Sequence, residues 1–191
     1  MFESTADSTT FDRWVFLSKF LSAPKQVGSI LPSSQHLTRK MMSHVPWHEV
    51  DSIAELGAGT GVFTRAIYDR LSQGGKAIIF EYDDAMRDRL IERWPSLNYW
   101  SDATELNQAL SISKMGELDC VISGLPFANF EQSLRDKLLD EVVSALRPGG
   151  LFIAFQYSLQ MRKQLRQRFS SVKVDFVPLN VPPAFVYVCR K

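Results

Sequence analysis

Short apolar runs alternate with amphipathic segments over residues 51–155, which predicts strands alternating with helices. The runs of strand length lie at 51–56, 77–81, 97–101, 118–123 and 151–155. Helical spacing follows at about 61–71, 83–93 and 131–146, and the last segment has an apolar stripe of Leu134, Leu138, Leu139, Val142, Val143 and Leu146. This order is expected for a parallel sheet with right-handed crossovers.

The flanking segments extend this pattern at both ends. We expect a basic helix at 159–169, then two strands at 172–177 and 184–190 joined through a proline-rich connection. Ahead of the sheet the sequence predicts a helix at 11–21, a loop at 27–34, and a second helix that Ser33 or Ser34 caps and that continues to about Met42. The prediction is a single domain, with an N-terminal helical cap at 1–46 and an α/β core at 47–191.

Composition narrows the class of protein. The chain has 191 residues, of which 45% are hydrophobic and 12% aromatic, enough for one domain with a core. The net charge of +1 is far from the basic balance of general nucleic-acid binders, which argues against a nucleic-acid partner. No signal peptide or membrane span is predicted, and we expect a cytoplasmic protein.

No metal site is predicted. Cys120 and Cys189 lie within strand-like runs and lack the spacing of metal ligands, so buried free thiols in a reducing compartment are expected. His36, His44 and His48 are scattered, without cysteines or carboxylates at ligand spacing. Surface or capping histidines are the simpler interpretation.

Three glycines follow the first predicted strand, in the pattern Gly57-x-Gly59-x-Gly61. Glycine permits positive φ and lets a ligand approach the backbone where a Cβ would block it. The spacing departs from the dinucleotide fingerprint G-x-G-x-x-G, and no Gly-Lys-Ser/Thr of a phosphate-binding loop follows. Two acids accompany the glycines, Glu55 in the strand and Glu81 at the end of the next strand. A simple turn in another doubly wound protein is the alternative.

With both acids, this stretch resembles the class I S-adenosylmethionine-dependent methyltransferases, whose first motif is E/D-x-G-x-G-x-G. The resemblance implies S-adenosyl-L-methionine as cofactor and a Rossmann-like, seven-stranded, mostly parallel sheet with helices on both faces and an antiparallel last strand. It also implies that Glu81 accepts hydrogen bonds from the ribose hydroxyls and Asp102 from the adenine amino group. The cofactor-binding residues it implies are Glu55, Gly57, Ala58, Gly59, Thr60, Gly61, Glu81, Tyr82, Asp102, Ala103, Ser123 and Gly124.

Other stretches narrow the resemblance to the bacterial phospholipid N-methyltransferases, which are related to the ribosomal RNA adenine dimethyltransferases. The more specific ones are Val-Gly-Ser-Ile-x-Pro-Ser-Ser at 27–34 and Asn-x-Pro-Pro-Ala at 180–184. The similarity extends over nearly the whole chain and implies N-methylation of an amine headgroup such as that of phosphatidylethanolamine. On this resemblance Ser29, Ser33, Ser34 and Asn180 line a substrate or cofactor loop.

On the acceptor side of the site, the sequence differs from that of the nucleobase methyltransferases. Where adenine N6 methyltransferases carry Asn or Asp before Pro-Pro-Tyr/Phe, this chain has Gly124, whose lack of a side chain argues against a nucleobase substrate. Phe127 and Tyr157 are the candidate catalytic residues, as an aromatic wall for a progressively methylated ammonium. Core packing is the alternative for both rings.

The predicted helix at 11–21 has an unusually wide apolar surface. It either caps the core or lies on an anionic membrane surface, with Trp14 near the headgroups. The sequence therefore favours a methyltransferase that acts on an amine-bearing lipid or small molecule, either in the cytoplasm or peripherally on the inner membrane face. The alternatives are a soluble methyltransferase for a small molecule or RNA, and a non-catalytic cofactor-binding protein.

Overall fold

Seven strands form one sheet in this protein. The computed structural model describes residues 32–72 and 74–191, apart from the side chains of residues 32–34. The strands are β1 (Ser52–Leu56), β2 (Lys76–Phe80), β3 (Asn98–Trp100), β4 (Leu118–Ser123), β5 (Leu146–Gln156), β6 (Ser171–Val177) and β7 (Ala184–Arg190). Their order across the sheet is β3-β2-β1-β4-β5-β7-β6, with β7 antiparallel to both of its neighbours and the other pairs parallel. The predicted fold class is confirmed.

Helices cover both faces of the sheet. They are α1 (Pro32–Met42), α2 (Val62–Tyr68), α3 (Asp84–Arg93), α4 (Leu106–Ile112), α5 (Gln132–Ala145) and α6 (Arg162–Arg168). Successive strand residues point to opposite faces, so Ile53 packs with α1, α2 and α3 while Ala54 packs with α4, α5 and α6. Both clusters are closed to solvent, which explains why the central strands read as continuous apolar runs.

Besides shifts of a few residues at helix ends, three features differ from the prediction. Helix α1 begins at Pro32, so Ser33 and Ser34 lie in its first turn rather than at the cap, because the fixed φ of proline suits the first helical position. Helix α4 is a further element that the sequence pattern does not predict. Strand β5 begins at Leu146, and its register against β4 shifts across residues 147–150, where the sequence had predicted a stop.

Several predictions fall on residues that the structure leaves undescribed. The aromatic helix at 11–21, Ser29 and the division at residue 46 depend on them and stay predictions. Within residues 32–72 and 74–191, no helix is both long and apolar enough to cross a bilayer. In the same ranges no three His, Cys, Asp or Glu side chains cluster as metal ligands.

Asp119, in β4, links β4 to β1 and β5 by hydrogen bonds at the amino edge of the sheet. Its Oδ2 accepts hydrogen bonds from the backbone N–H groups of Asp51 and Ser52, both at 2.9 Å, and its Oδ1 accepts from Arg147 Nε at 2.5 Å. Burial raises the pKa of this carboxyl, but Arg147 and the backbone donors outweigh it, and the pKa lies below its ordinary value.

We therefore expect Asp119→Ala to lower the free energy of unfolding by about 1.5–3 kcal/mol at pH 7, as for hydrogen bonds to a charged group. Because the folded-state pKa is depressed, this stability is present above the ordinary carboxyl pKa and is lost as pH falls through the folded value. Urea unfolding should show a smaller difference in the free energy of unfolding between the wild-type protein and Asp119→Ala at pH 3 than at pH 7. Asp69→Ala, at an exposed ion pair with Arg65, is the control. A difference independent of pH would contradict the assignment.

Candidate active site

The candidate residues converge at the carboxyl edge of the sheet. Strand order reverses between β1 and β4, whose connections leave in opposite directions, and such a point forms the usual ligand crevice of an open α/β sheet. The glycine-rich turn follows β1, Glu81 follows β2, Asp102 follows β3, and Gly124 follows β4. Parallel pairing brings these four strand ends side by side.

The three glycines have positive φ but different surroundings. A Cβ on Gly57 would lie 2.7 Å from a methyl carbon of Leu125, and one on Gly61 would lie 2.6 Å from Leu90 and 2.7 Å from Trp94. A Cβ on Gly59, where φ is +55°, would meet no atom of residues 32–72 or 74–191 within 4 Å. Two of the glycines therefore permit close packing inside the protein. Gly59 alone of the three faces open space into which a ligand can approach the backbone.

Glu81 holds the glycine-rich turn against the end of β2. Its Oε2 accepts a hydrogen bond from Gly59 N–H at 2.6 Å, and its Oε1 accepts from Asp83 N–H at 2.9 Å. Burial raises the pKa of Glu81, and these two backbone donors oppose the shift. Each carboxylate oxygen retains a further lone pair, so the side chain can still accept from hydroxyl groups.

Glu55 is fully buried beneath the glycine-rich turn. Its Oε2 accepts a hydrogen bond from the Thr64 hydroxyl at 2.6 Å, and Oε1 has no hydrogen-bond partner within the described part of the chain. Burial raises the pKa of Glu55 to about 8, although the Thr64 hydrogen bond lowers it. An unpartnered buried carboxyl oxygen is costly, and a cationic group of a ligand would relieve it.

The remaining cofactor candidates lie around these two acids. Asp102 caps a short 3₁₀ turn by accepting from Thr104 N–H at 2.8 Å, which leaves its second oxygen for other donors. Ser123 is fully buried and accepts from Leu125 N–H at 3.1 Å, so it shapes the turn after β4. Ala58 and Ala103 are buried, Thr60 is exposed, and Tyr82 is 37% exposed.

The turn after β4 packs directly on the glycine-rich turn. Gly124 N–H donates to the Leu56 carbonyl at 2.9 Å, and a Cβ on Gly124 would lie 2.8 Å from the Gly57 carbonyl oxygen. Gln156, buried at the end of β5, donates from Nε2 to the Leu125 carbonyl at 2.9 Å and accepts from Ala128 N–H at 3.2 Å. The backbone of the two turns is thus fixed from both sides.

The two aromatic candidates have different positions. Phe127 is 1% exposed and packs edge to face against Phe130 and Phe152, so core packing replaces the predicted wall position. Tyr157 is 45% exposed and its ring meets Phe155 edge to face at 5.7 Å. Burial raises the pKa of Tyr157, and the polar side chain of buried Asn180 opposes this shift.

Comparisons with known proteins agree with this geometry. Residues 53–150 match the family model described as "Methyltransferase domain". The chain belongs to the class I S-adenosylmethionine-dependent methyltransferases. It is 33% identical over 184 residues to the ornithine lipid N-methyltransferase of Singulisphaera acidiphila, covering 94% of this chain and 96% of that protein. S-adenosyl-L-methionine is therefore its methyl donor.

Solved methyltransferases share the fold of this chain. The 1,6-didemethyltoxoflavin-N1-methyltransferase of Burkholderia thailandensis, solved with S-adenosylhomocysteine, superposes with a TM-score of 0.72 at 15% identity, over 100% of this chain and 93% of that one. The N-methyltransferase NodS of Bradyrhizobium japonicum also gives 0.72, at 11% identity, over 92% of this chain and 98% of its own. At such identities the likeness concerns the fold.

The residues of this methyltransferase fit the cofactor. The open space beside Gly59 admits a ligand to the backbone, and the unpartnered Oε1 of Glu55 suits a cationic donor such as an amino group. Thr64, Leu125 and Gln156 were missed by the sequence analysis. Thr64 follows Gly61 by three residues on the facing helix, which is the one local signal that could have found it.

Gly59→Val should lower affinity for S-adenosylhomocysteine by roughly tenfold or more, because a branched side chain resists positive φ and fills the open space. Gly61→Ala is the matched comparison. Its Cβ would clash with Leu90 and Trp94, so it should lower the free energy of unfolding by about 1–3 kcal/mol. Calorimetric titration and thermal unfolding of both variants separate the two effects. If Gly59→Val bound S-adenosylhomocysteine normally, Gly59 would not face the ligand.

Glu55→Gln should change how stability depends on pH in the cofactor-free protein. Burial keeps folded Glu55 protonated up to about pH 8, whereas the unfolded chain releases that proton near 4.5. The folded state holds the extra proton in this window, so the free energy of unfolding should fall as pH rises through it, by on the order of 3–5 kcal/mol. The Glu55→Gln variant should show no such decrease in the free energy of unfolding.

Urea unfolding at pH 5, 7 and 8.5 measures this dependence. Glu92→Gln, at an exposed position on α3, is the control and should follow the wild-type protein. If the free energy of unfolding depended on pH in the same way for the wild-type protein and Glu55→Gln, Glu55 would ionise normally in the folded state.

Proposed function

We propose that this methyltransferase methylates the primary amine of a lipid headgroup. The observation that carries the proposal is the 33% identity to an ornithine lipid N-methyltransferase over nearly the full length of both chains. A match of that length includes the acceptor side of the site as well as the cofactor motifs. Phosphatidylethanolamine is the phospholipid candidate, and an ornithine lipid is the second.

The reaction places demands on alignment more than on covalent chemistry. When bound, S-adenosylmethionine supplies an electrophilic methyl group on a sulfonium sulfur. The chain must hold donor and acceptor in near-attack geometry, which accounts for much of the rate in reactions of this kind. The packing of the Gly57 turn on the Gly124 turn, braced by Gln156, provides a rigid base for this alignment.

An amine attacks only in its neutral form. The turn at 123–130, Ser-Gly-Leu-Pro-Phe-Ala-Asn-Phe, contains no charged side chain that would hold an ammonium group. An environment of low polarity lowers the pKa of an amine and favours the neutral form. Burial raises the pKa of Tyr157, so its hydroxyl remains protonated near neutral pH and cannot act as the base.

Tyr157 can instead stabilise the charge that methylation creates. Each transfer leaves a cationic methylammonium, and an aromatic face attracts such a cation without a hydrogen bond. The half-exposed ring of Tyr157 lies beside the strand ends that form the candidate site. It is the aromatic candidate that retains exposed surface for this contact.

The steric environment of Gly124 disfavours a nucleobase acceptor. An Asn or Asp at this position would accept from the target amino group in the adenine enzymes. Here a Cβ would lie 2.8 Å from the Gly57 carbonyl oxygen, so any side chain requires the two turns to separate. The packing that fixes the cofactor turn therefore excludes that recognition group.

Incubation with labelled S-adenosylmethionine tests the proposal. We expect label in phosphatidylethanolamine or ornithine lipid presented in detergent micelles, and none in total RNA. Tyr157→Ala should lower the later methyl transfers by roughly tenfold, whereas Tyr157→Phe, which keeps the ring face, should stay within about twofold. Label in RNA alone, or equal activity of the two Tyr157 variants, would contradict the assigned acceptor or role.

A further inference from the structure

The connection between β6 and β7 exposes an apolar surface without any charge. We term residues 176–183, the last two residues of β6 and the connection that follows them, the 176–183 loop; they read Phe-Val-Pro-Leu-Asn-Val-Pro-Pro. Phe176, Leu179 and Val181 are 56%, 64% and 81% exposed. Single exposed apolar residues are common on protein surfaces, but three within six positions of an uncharged loop form a patch.

The 176–183 loop lies at the carboxyl edge of the sheet, on the same side as the candidate active site. Val177 pairs with Ala184, and the next residue of β7, Phe185, pairs with Gln156 at the end of β5. Asn180, within the loop, donates from Nδ2 to the Pro182 carbonyl at 2.6 Å and also lowers the pKa of Tyr157, so the loop comes close to the residue that follows β5. Any partner bound to this loop would therefore lie next to the acceptor side of the candidate active site.

Basic helices flank this loop on both faces of the sheet. Helix α1 carries Arg39 and Lys40, and α6 carries four basic residues, with no acidic residue in either. A groove of about 390 Å³ separates α1 from the loop, and His36, Arg39 and Lys40 line it. Both helices pack against β6, one on each face.

Within the described part of the chain, some of these basic side chains have no acidic partner. Lys40 lies 2.6 Å from Asp175, and Arg168 is held by Asp136 and Asp140. Arg39, Arg162 and Lys163 are exposed, and none of them has an ion pair with another described residue. An uncharged apolar loop between exposed cations that have no acidic partner among the described residues suits an interface that is apolar inside and anionic at its boundary.

We propose that the 176–183 loop, together with Arg39, Arg162 and Lys163, docks this methyltransferase on an anionic bilayer. Leu179 and Val181 enter the acyl boundary, while the basic side chains contact the headgroups. The choice of a bilayer depends on the proposed function, since an amine lipid lies in that surface. A second copy of the chain is disfavoured, because a symmetric contact through this patch would bring like charges together.

Co-sedimentation of the full chain with vesicles tests this surface. Leu179→Ser combined with Val181→Ser should lower binding to phosphatidylglycerol vesicles by about tenfold, as expected for removing two membrane-inserted side chains. Arg39→Glu should lower it by about tenfold as well, and phosphatidylcholine vesicles should bind weakly throughout. Ile112→Ser, at a site 61% exposed on α4, and Lys76→Glu, at the start of β2, are matched controls that should bind like the wild-type chain.

The outcomes separate this proposal from the proposed function. Equal sedimentation of the loop double variant and Ile112→Ser would overturn the docking surface, and so would a wild-type dimer in sedimentation velocity that the loop variant abolishes. Short-chain phosphatidylethanolamine dissolved as monomers needs no docking, so the loop double variant should methylate it at the wild-type rate. If the wild-type chain methylates no amine lipid in monomers or micelles, the proposed function fails. The docking surface would still stand if vesicle binding depended on the 176–183 loop.

Discussion

The close approach of two backbone turns, after β1 and after β4, constrains the rest of the site. Gly124 lies so near the Gly57 carbonyl that neither turn has room for another carbon between them, and Leu125 fills the space that a side chain on Gly57 would need. Since Gln156 fixes the Leu125 carbonyl from β5, three adjacent strands determine one backbone arrangement. The proposed exclusion of nucleobase acceptors and the shape of the cofactor crevice would then have the same steric origin.

Much of the fold could be predicted from the sequence because its signals are local. Apolar runs and glycine spacing placed every strand within a few residues, and strand order placed Glu55, Glu81, Asp102 and Gly124 at one edge. The contacts that define the site are of another kind. Gln156 meets Leu125 across 31 positions, and the burial of Phe127 depends on Phe152 from another strand, so neither has a periodic signal.

The two acids of the cofactor motif have different electrostatic tasks. Glu81 is surrounded by backbone N–H groups, which stabilise its charge and tie the glycine turn to β2. Glu55 has one hydroxyl donor and an otherwise closed environment, so the neutral form is favoured in the absence of a cation. A sequence motif that groups them as equivalent carboxylates conceals this division, because it does not record which donors the fold brings to each oxygen.

Strand β7 is inserted between β5 and β6 although it follows both in the chain. Among the described strands, β6 has hydrogen-bonded pairing with β7 alone. During synthesis on the ribosome, β1 to β5 can therefore assemble as soon as they emerge, whereas residues 171–177 must wait for 184–190 before they gain a partner. Until then the outer side of β5 is an open edge, at which a nascent chain is exposed to pairing with other unfolded segments.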